Sequence, residues 1–179
     1  MTKRDVMIHM LTSRLEMGGS LFDDEEEHED GEGTDDSCGI DFAALMGEMP
    51  EPTEMLMEGK LVTNRTRVEL MYEESELTGM EGSVTSIGFD RNNPTLISMM
   101  RTGPVRTAMT FEEGKRHYCV YNTPYSDFEV CVRGVCVENE LLTKGLLKLD
   151  YLVEIHGAQA EHCRMTITVT PKASVEDIL

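Results

Sequence analysis

The sequence predicts an all-β protein, an antiparallel up-and-down barrel of around ten strands. Two observations point there. Apolar residues alternate with polar ones at period two through most of the chain, and the breaks between these stretches are short and rich in turn-forming residues. A third sets the organisation: 15 of the 34 acidic residues lie between Glu16 and Glu54, a stretch with no Lys or Arg. The expected layout is a single barrel domain over residues 1–179, with 16–54 as an acidic, loop-like or largely disordered insertion.

The first strand is predicted around Val6–Leu11, before the acidic stretch. Others follow near Met55–Thr63, Thr66–Glu74, Ser83–Phe89, Leu96–Arg101, Val105–Phe111, Arg116–Asn122, Phe128–Val137, Leu146–His156 and Cys163–Thr170. The clearest alternations are Val68, Leu70 and Tyr72; Leu147, Leu149, Tyr151, Val153 and Ile155; and Cys163, Met165, Ile167 and Val169. Each reads as a strand with one buried face. Leu77–Gly79 with Gly82, Arg91–Pro94, Thr102–Pro104, Glu113–Lys115 and Gly157–Ala160 suit tight connections. Short links favour a meander, and closing it removes the exposed sheet edges. A long insertion between the first two strands is tolerated because loop-closure entropy rises slowly with length. Within it, Ile40–Met46 has the pattern of a short helix or docking peptide, with Asp41 as N-cap and Phe42, Leu45 and Met46 on one side.

The formal net charge is −18. Outside the acidic stretch, 19 acids face 16 bases, so the body is nearly neutral. This charge argues against nucleic acid and against anionic membrane as partners. No apolar run is long enough for a transmembrane helix, and the opening Met-Thr-Lys-Arg-Asp-Val lacks the core of a signal peptide. Five cysteines, an odd number without any C-x-x-C, point to free thiols in a reducing, cytoplasmic compartment. On a regular strand, Cys131 and Cys136 would face opposite sides.

Chemistry-bearing motifs are sparse. There is no G-x-S-x-G, P-loop, G-x-G-x-x-G or H-E-x-x-H, which favours a non-enzyme without a cofactor. Taken as a calcium loop around Gly31, the acidic stretch has His28 at the third position and Ser37 at the twelfth, which excludes an EF-hand. His156, His162 and Cys163 flank one turn, but His162 and Cys163 alternate faces, so a metal site there needs irregular backbone. His117 and Cys119 share a face and carry an equally weak signal.

Several stretches together carry a family resemblance. They are Tyr72–Glu73–Glu74 followed by Gly79 to Gly82 and Val84–Thr85–Ser86–Ile87; Met100–Arg101–Thr102–Gly103; Met109–Thr110–Phe111 with Gly114; Tyr121–Asn122–Thr123–Pro124–Tyr125; Leu149–Asp150–Tyr151–Leu152; and Met165–Thr166–Ile167–Thr168–Val169. In this order, from about Asp5 to Pro171, the chain resembles the YwiB-like family of bacterial calycin-type (lipocalin-like) β-barrels. It departs from the pattern at Ser126, where the family has Gly, and in the length of its acidic insertion. The resemblance implies a closed or nearly closed barrel and brings no catalytic residues.

Such a barrel is either packed with side chains or holds one small ligand. Its inward set is Met, Leu, Ile, Val, Phe and Tyr, with Met, at 14 residues, well suited to filling irregular space. The candidate interior residues are Tyr72, Glu74, Met99, Arg101, Met109, Phe111, Tyr121, Thr123 and Tyr151, suited to an apolar or amphipathic small molecule. Arg101 is in phase with Ile97 and Met99, and a buried guanidinium needs a carboxylate; Glu74, in phase with Tyr72, is the candidate. Alternatively, both sit solvated at strand ends. An alternative function is a scaffold whose acidic segment contacts a basic protein partner.

Overall fold

The computed structural model describes residues 1–22, 45 and 47–172. Its strands are β1 (Thr2–Glu16), β2 (Thr53–Thr63), β3 (Arg67–Glu73), β4 (Val84–Asp90), β5 (Asn93–Thr102), β6 (Thr107–Phe111), β7 (Arg116–Asn122), β8 (Asp127–Glu140), β9 (Leu146–Ile155) and β10 (Glu161–Pro171). A 3-10 turn, Glu76–Thr78, lies between β3 and β4 and ends on Gly79, whose φ of 69° suits glycine. Among the described residues no helix is long and apolar enough to cross a membrane.

Every predicted strand is present. They form one antiparallel sheet in the order β6-β5-β4-β3-β2-β1-β10-β9-β8-β7. β1 outruns its predicted span at both ends because its neighbours supply partners along its length. It pairs with β2 from Thr2↔Thr63 to Thr12↔Thr53, and with β10 from Val6↔Pro171 to Glu16↔Glu161. Pairing of this kind is invisible to local alternation.

The sheet curls until its edge strands β6 and β7 meet. At one end of the seam, Arg106 N–H donates to Asn122 O at 3.0 Å and Asn122 N–H to Arg106 O at 2.8 Å. Midway, the Thr107 hydroxyl lies 3.8 Å from Cys119 Sγ. At the other end, Gly114 N–H donates to Gly134 O at 2.9 Å, tying the β6–β7 connection to β8. A Cβ on Gly134 would stand 2.2 Å from Glu112 O, so only glycine permits this approach. The result is a nearly closed barrel with little free edge.

Inward-facing residues from all ten strands fill the barrel, including Ile8, Leu70, Ile87, Ile97, Phe111, Val132, Leu149 and Ile167. A bulge between Gly134 and Cys136 shifts the phase of β8. Cys131 pairs with Glu154 and Cys136 with Asp150, so both cysteines face outward, against the expectation from a regular strand.

A second apolar cluster lies on the outer face: Met17, Leu21, Leu45, Cys131, Leu152 and Ala160. Met17, Leu21 and Leu45 bring described residues of the acidic stretch into this cluster. Leu21 is fully buried there and Leu45 nearly so. The Ser20 hydroxyl donates to both oxygens of buried Glu154, at 2.9 and 3.0 Å, and the Leu21 amide donates to the same carboxylate. Arg164 Nη2 holds Leu45 O at 3.0 Å, and Arg116 Nη1 holds Leu21 O at 3.2 Å. Leu45 lies in the segment whose pattern reads as a short helix or docking peptide, whereas nothing local marks Met17 and Leu21 as buried; the apolar area that these side chains bury holds them to the barrel. The rest of the predicted Ile40–Met46 helix, with Phe42 and Met46, and Cys38 lie outside the described residues.

Candidate functional site

The register of β3, β4 and β5 sets Tyr72 beside Thr85 and Thr85 beside Arg101 on the inner face. Glu74, just past the end of β3, reaches the same level. Arg101 donates to Glu74 Oε1 through Nε at 3.2 Å and Nη2 at 3.1 Å, and Nε also reaches Thr85 Oγ1 at 3.0 Å. The Thr85 hydroxyl donates to the same Glu74 oxygen at 2.5 Å. Glu74 is 7 % exposed and Arg101 8 %. Of the two alternatives open from sequence, the buried pair is therefore the one formed. The fork is one-sided: both bonding nitrogens converge on Oε1, and Nη1 has no protein hydrogen bond among the described residues.

Arg101 stands in the wall of a cavity of about 330 Å³ at one end of the barrel. Its walls include Met99, Met109, Tyr121, Val130, Tyr151, Val153 and Met165. Thr78–Met80, Ala158, Gln159, Glu161 and Arg14 surround the mouth. Arg14 Nη1 lies 3.9 Å from Glu161. Larger depressions, of about 440 and 620 Å³, lie around Lys3, Glu58 and Lys172, and at the opposite rim around Arg4, Leu142 and Lys144. Neither contains the buried ion pair, whereas a third depression, of about 640 Å³, is lined by Glu74 together with Ser75, Glu76 and Glu81.

The nine sequence-predicted interior residues separate into groups. Met99, Arg101, Met109, Tyr121 and Tyr151 line the cavity together. Glu74 and Tyr72 stand beside Arg101 without forming wall. Phe111 is fully buried and packs edge-on against Tyr151, ring centroids 4.8 Å apart, as core beneath the cavity. Thr123 falls outside the interior: β7 ends at Asn122, and the Thr123 hydroxyl is used in the turn. It donates to Ser126 O at 2.8 Å and accepts from the Ser126 and Tyr125 amides. Alternation placed it inward only by extending the strand past its end.

Sequence reasoning missed Thr85, Arg14, Cys163 and Met165 as parts of this site. Thr85 was in phase with Ile87 and Phe89, and Cys163 and Met165 with Ile167. Arg14 is in phase with Val6, Ile8 and Met10 but lay beyond the predicted end of the first strand.

Burial pushes two phenols and one thiol at the site away from ionisation. Burial, with Glu74 nearby, pushes the Tyr72 phenol up, while Arg101 opposes. Burial does the same to Tyr151, with Cys163 adding to it. The Cys163 thiol is pushed up to about 11, chiefly by burial, with Arg14 opposing.

Among the described residues no three His, Cys, Asp or Glu side chains group to hold a metal ion. His156 stacks on Phe22, ring centroids 4.6 Å apart, whereas buried His162 bonds Asp150 at 2.5 Å through Nε2. Asp150 also accepts from Arg164 Nε at 2.8 Å.

The family model described as "Domain of unknown function (DUF1934)" matches residues 44–167. The chain belongs to this family. The match takes in β2 to β9 and most of β10, with every cavity residue except Arg14. Among solved structures, the chain is similar to the ywiB protein from Bacillus subtilis, with 14% sequence identity and a TM-score of 0.58. The alignment covers 94% of this chain and 93% of that one. At this identity the likeness is one of fold, and it agrees with the YwiB-like barrel expected from the sequence. No curated protein matches the chain.

Proposed function

We propose that this DUF1934 protein is a binding module rather than an enzyme, and that one small amphipathic molecule occupies the cavity at the end of the barrel. The supporting observation is the cavity itself: about 330 Å³, walled by methionine and aliphatic side chains, with the charge-compensated Arg101 in its wall. Ligand sites typically combine apolar walls with a few placed polar groups, in volumes of roughly 300–1,000 Å³. A purely structural core would ordinarily fill that space. The four described cysteines are free thiols, which supports a reducing compartment such as the cytoplasm for this activity.

The test is native mass spectrometry of freshly purified protein, paired with a Val153→Trp variant that fills the cavity. The expected result is a bound small molecule, lost on denaturation and absent from the folded variant. A bare protein mass from several expression hosts, together with failure of an environment-sensitive fluorescent amphiphile to bind, would overturn the proposal.

A further inference from the structure

The polar groups of the cavity bear on which head group it takes. Arg101 is the buried cation in its wall, and Glu74 already neutralises it. Nε is taken by Glu74 and Thr85 and Nη2 gives one N–H to Glu74, so Nη1, with no protein hydrogen bond among the described residues, keeps its donors for a guest. Other polar groups of the lining include the phenols of Tyr121 and Tyr151, the Cys163 thiol, Thr78 and Gln159. Tyr151 and Cys163 are protonated at neutral pH, and burial pushes both further from ionisation, so they meet a guest as neutral groups. At the mouth, Arg14 and Glu161 oppose one another, so neither level of the cavity carries a net positive charge.

We propose that the cavity binds an amphiphile whose head is an uncharged hydrogen-bond acceptor, a carbonyl of the amide, ester or ketone type, and discriminates against free carboxylates. This rests on the reading of the cavity as a ligand site and adds the head-group class.

A carboxylate beside Arg101 would make one guanidinium serve two anions and leave a net negative charge in a poorly solvated wall. A carbonyl accepts from Nη1 with no such penalty, because the site stays neutral as a whole. An ammonium head meets the converse problem, a second cation beside Arg101 with its one carboxylate already engaged. The outer field acts the same way on anions. The connection that brings Thr78–Met80 to the mouth also carries Glu76 and Glu81, and the chain as a whole is at −18.

The experiment uses the full chain with carbon-13-labelled methionine methyl groups, since Met99, Met109 and Met165 line the cavity. Octanamide, octanoate and octylammonium are titrated at neutral pH and moderate salt. The expected result is that octanamide shifts the Met99 and Met109 methyl resonances with at least tenfold tighter apparent affinity than either charged probe. Octanoate or octylammonium binding as tightly, with the same resonances shifted, overturns the head-group assignment while leaving the cavity as a ligand site. No response of these methyl groups to any of the three overturns the cavity reading, and this inference with it. A Glu74→Gln variant, which frees Arg101, is expected to tighten octanoate binding at least tenfold; unchanged octanoate affinity in the folded variant counts against the assignment. If that variant fails to fold, the comparison of probes on the unaltered protein still decides.

Discussion

The buried Arg101–Glu74 pair gives the sharpest energetic test. Both side chains are nearly shut off from water, at 9% and 3% exposure, and Thr85 bonds to each. Replacing Arg101 by Met leaves the Glu74 carboxylate buried with the Thr85 hydroxyl in place of a cation. Breaking a buried pair from one side costs about 3–5 kcal/mol. For a chain of 179 residues, each kcal/mol moves the melting temperature by about 2–4 °C, so a fall on the order of 10 °C is expected. Glu74→Met strands the guanidinium and should cost a similar amount. The double variant removes both desolvated charges and is expected to recover most of either loss, ending within about 1–2 kcal/mol of the unaltered protein. Urea denaturation of the four proteins measures each corner of this cycle. Single variants that each lose less than about 1 kcal/mol would mean the pair is effectively solvated. A double variant that loses the full sum of the singles would show that the charges act independently. Either result refutes the reasoning.

Other consequences follow from the packing. Leu21→Ala and Leu45→Ala each remove a buried outer-face contact and should cost about 2–5 kcal/mol in the same urea assay; changes under about 0.5 kcal/mol would show that the insertion roots do not dock. Deleting Ser20–Glu51 should accordingly lower the melting temperature by several degrees, rather than leave it unchanged as a detached spacer would. Gly134→Ala places a methyl group 2.2 Å from Glu112 O, so it should open the β6–β7 seam and sharply reduce folded yield, read by circular dichroism and by faster amide exchange at Gly114; native-like behaviour would exclude the close approach. Alkaline stability follows from Cys163, whose thiol titrates near 9 when unfolded and near 11 when folded. Above the lower value the unfolded chain has lost a proton that the folded chain keeps, so stability falls as pH rises through this window. Cys163→Ala should flatten that fall by roughly 2–3 kcal/mol, and an identical pH profile would refute the burial of the thiol.

Local alternation made nearly all of the barrel legible. Period-two runs such as Leu147–Ile155 set strand identity and face together, because one slip of register would turn the whole apolar set to water. The same phase rule brought Arg101 to Glu74, since both continue buried rows. It failed where the backbone leaves the regular strand. Thr123 lies past the end of β7, and the bulge after Gly134 turns Cys136 to the side that Cys131 faces. Thr85 and Cys163 were in phase with the interior, but nothing local distinguishes a side chain lining a cavity from one packed beneath it.

The sequence by itself thus determined the all-β class, the strand count, most of the inward residues and the place of the acidic insertion. These depend on neighbours close along the chain, where the pleat and turn chemistry act. Closure of the seam over Gly134, the docking of Leu21 and Leu45, and the cavity beside Arg101 arise only in three dimensions. Each depends on how residues far apart in the chain fill or fail to fill shared space, and a void in particular is a property of packing that no single stretch of sequence contains.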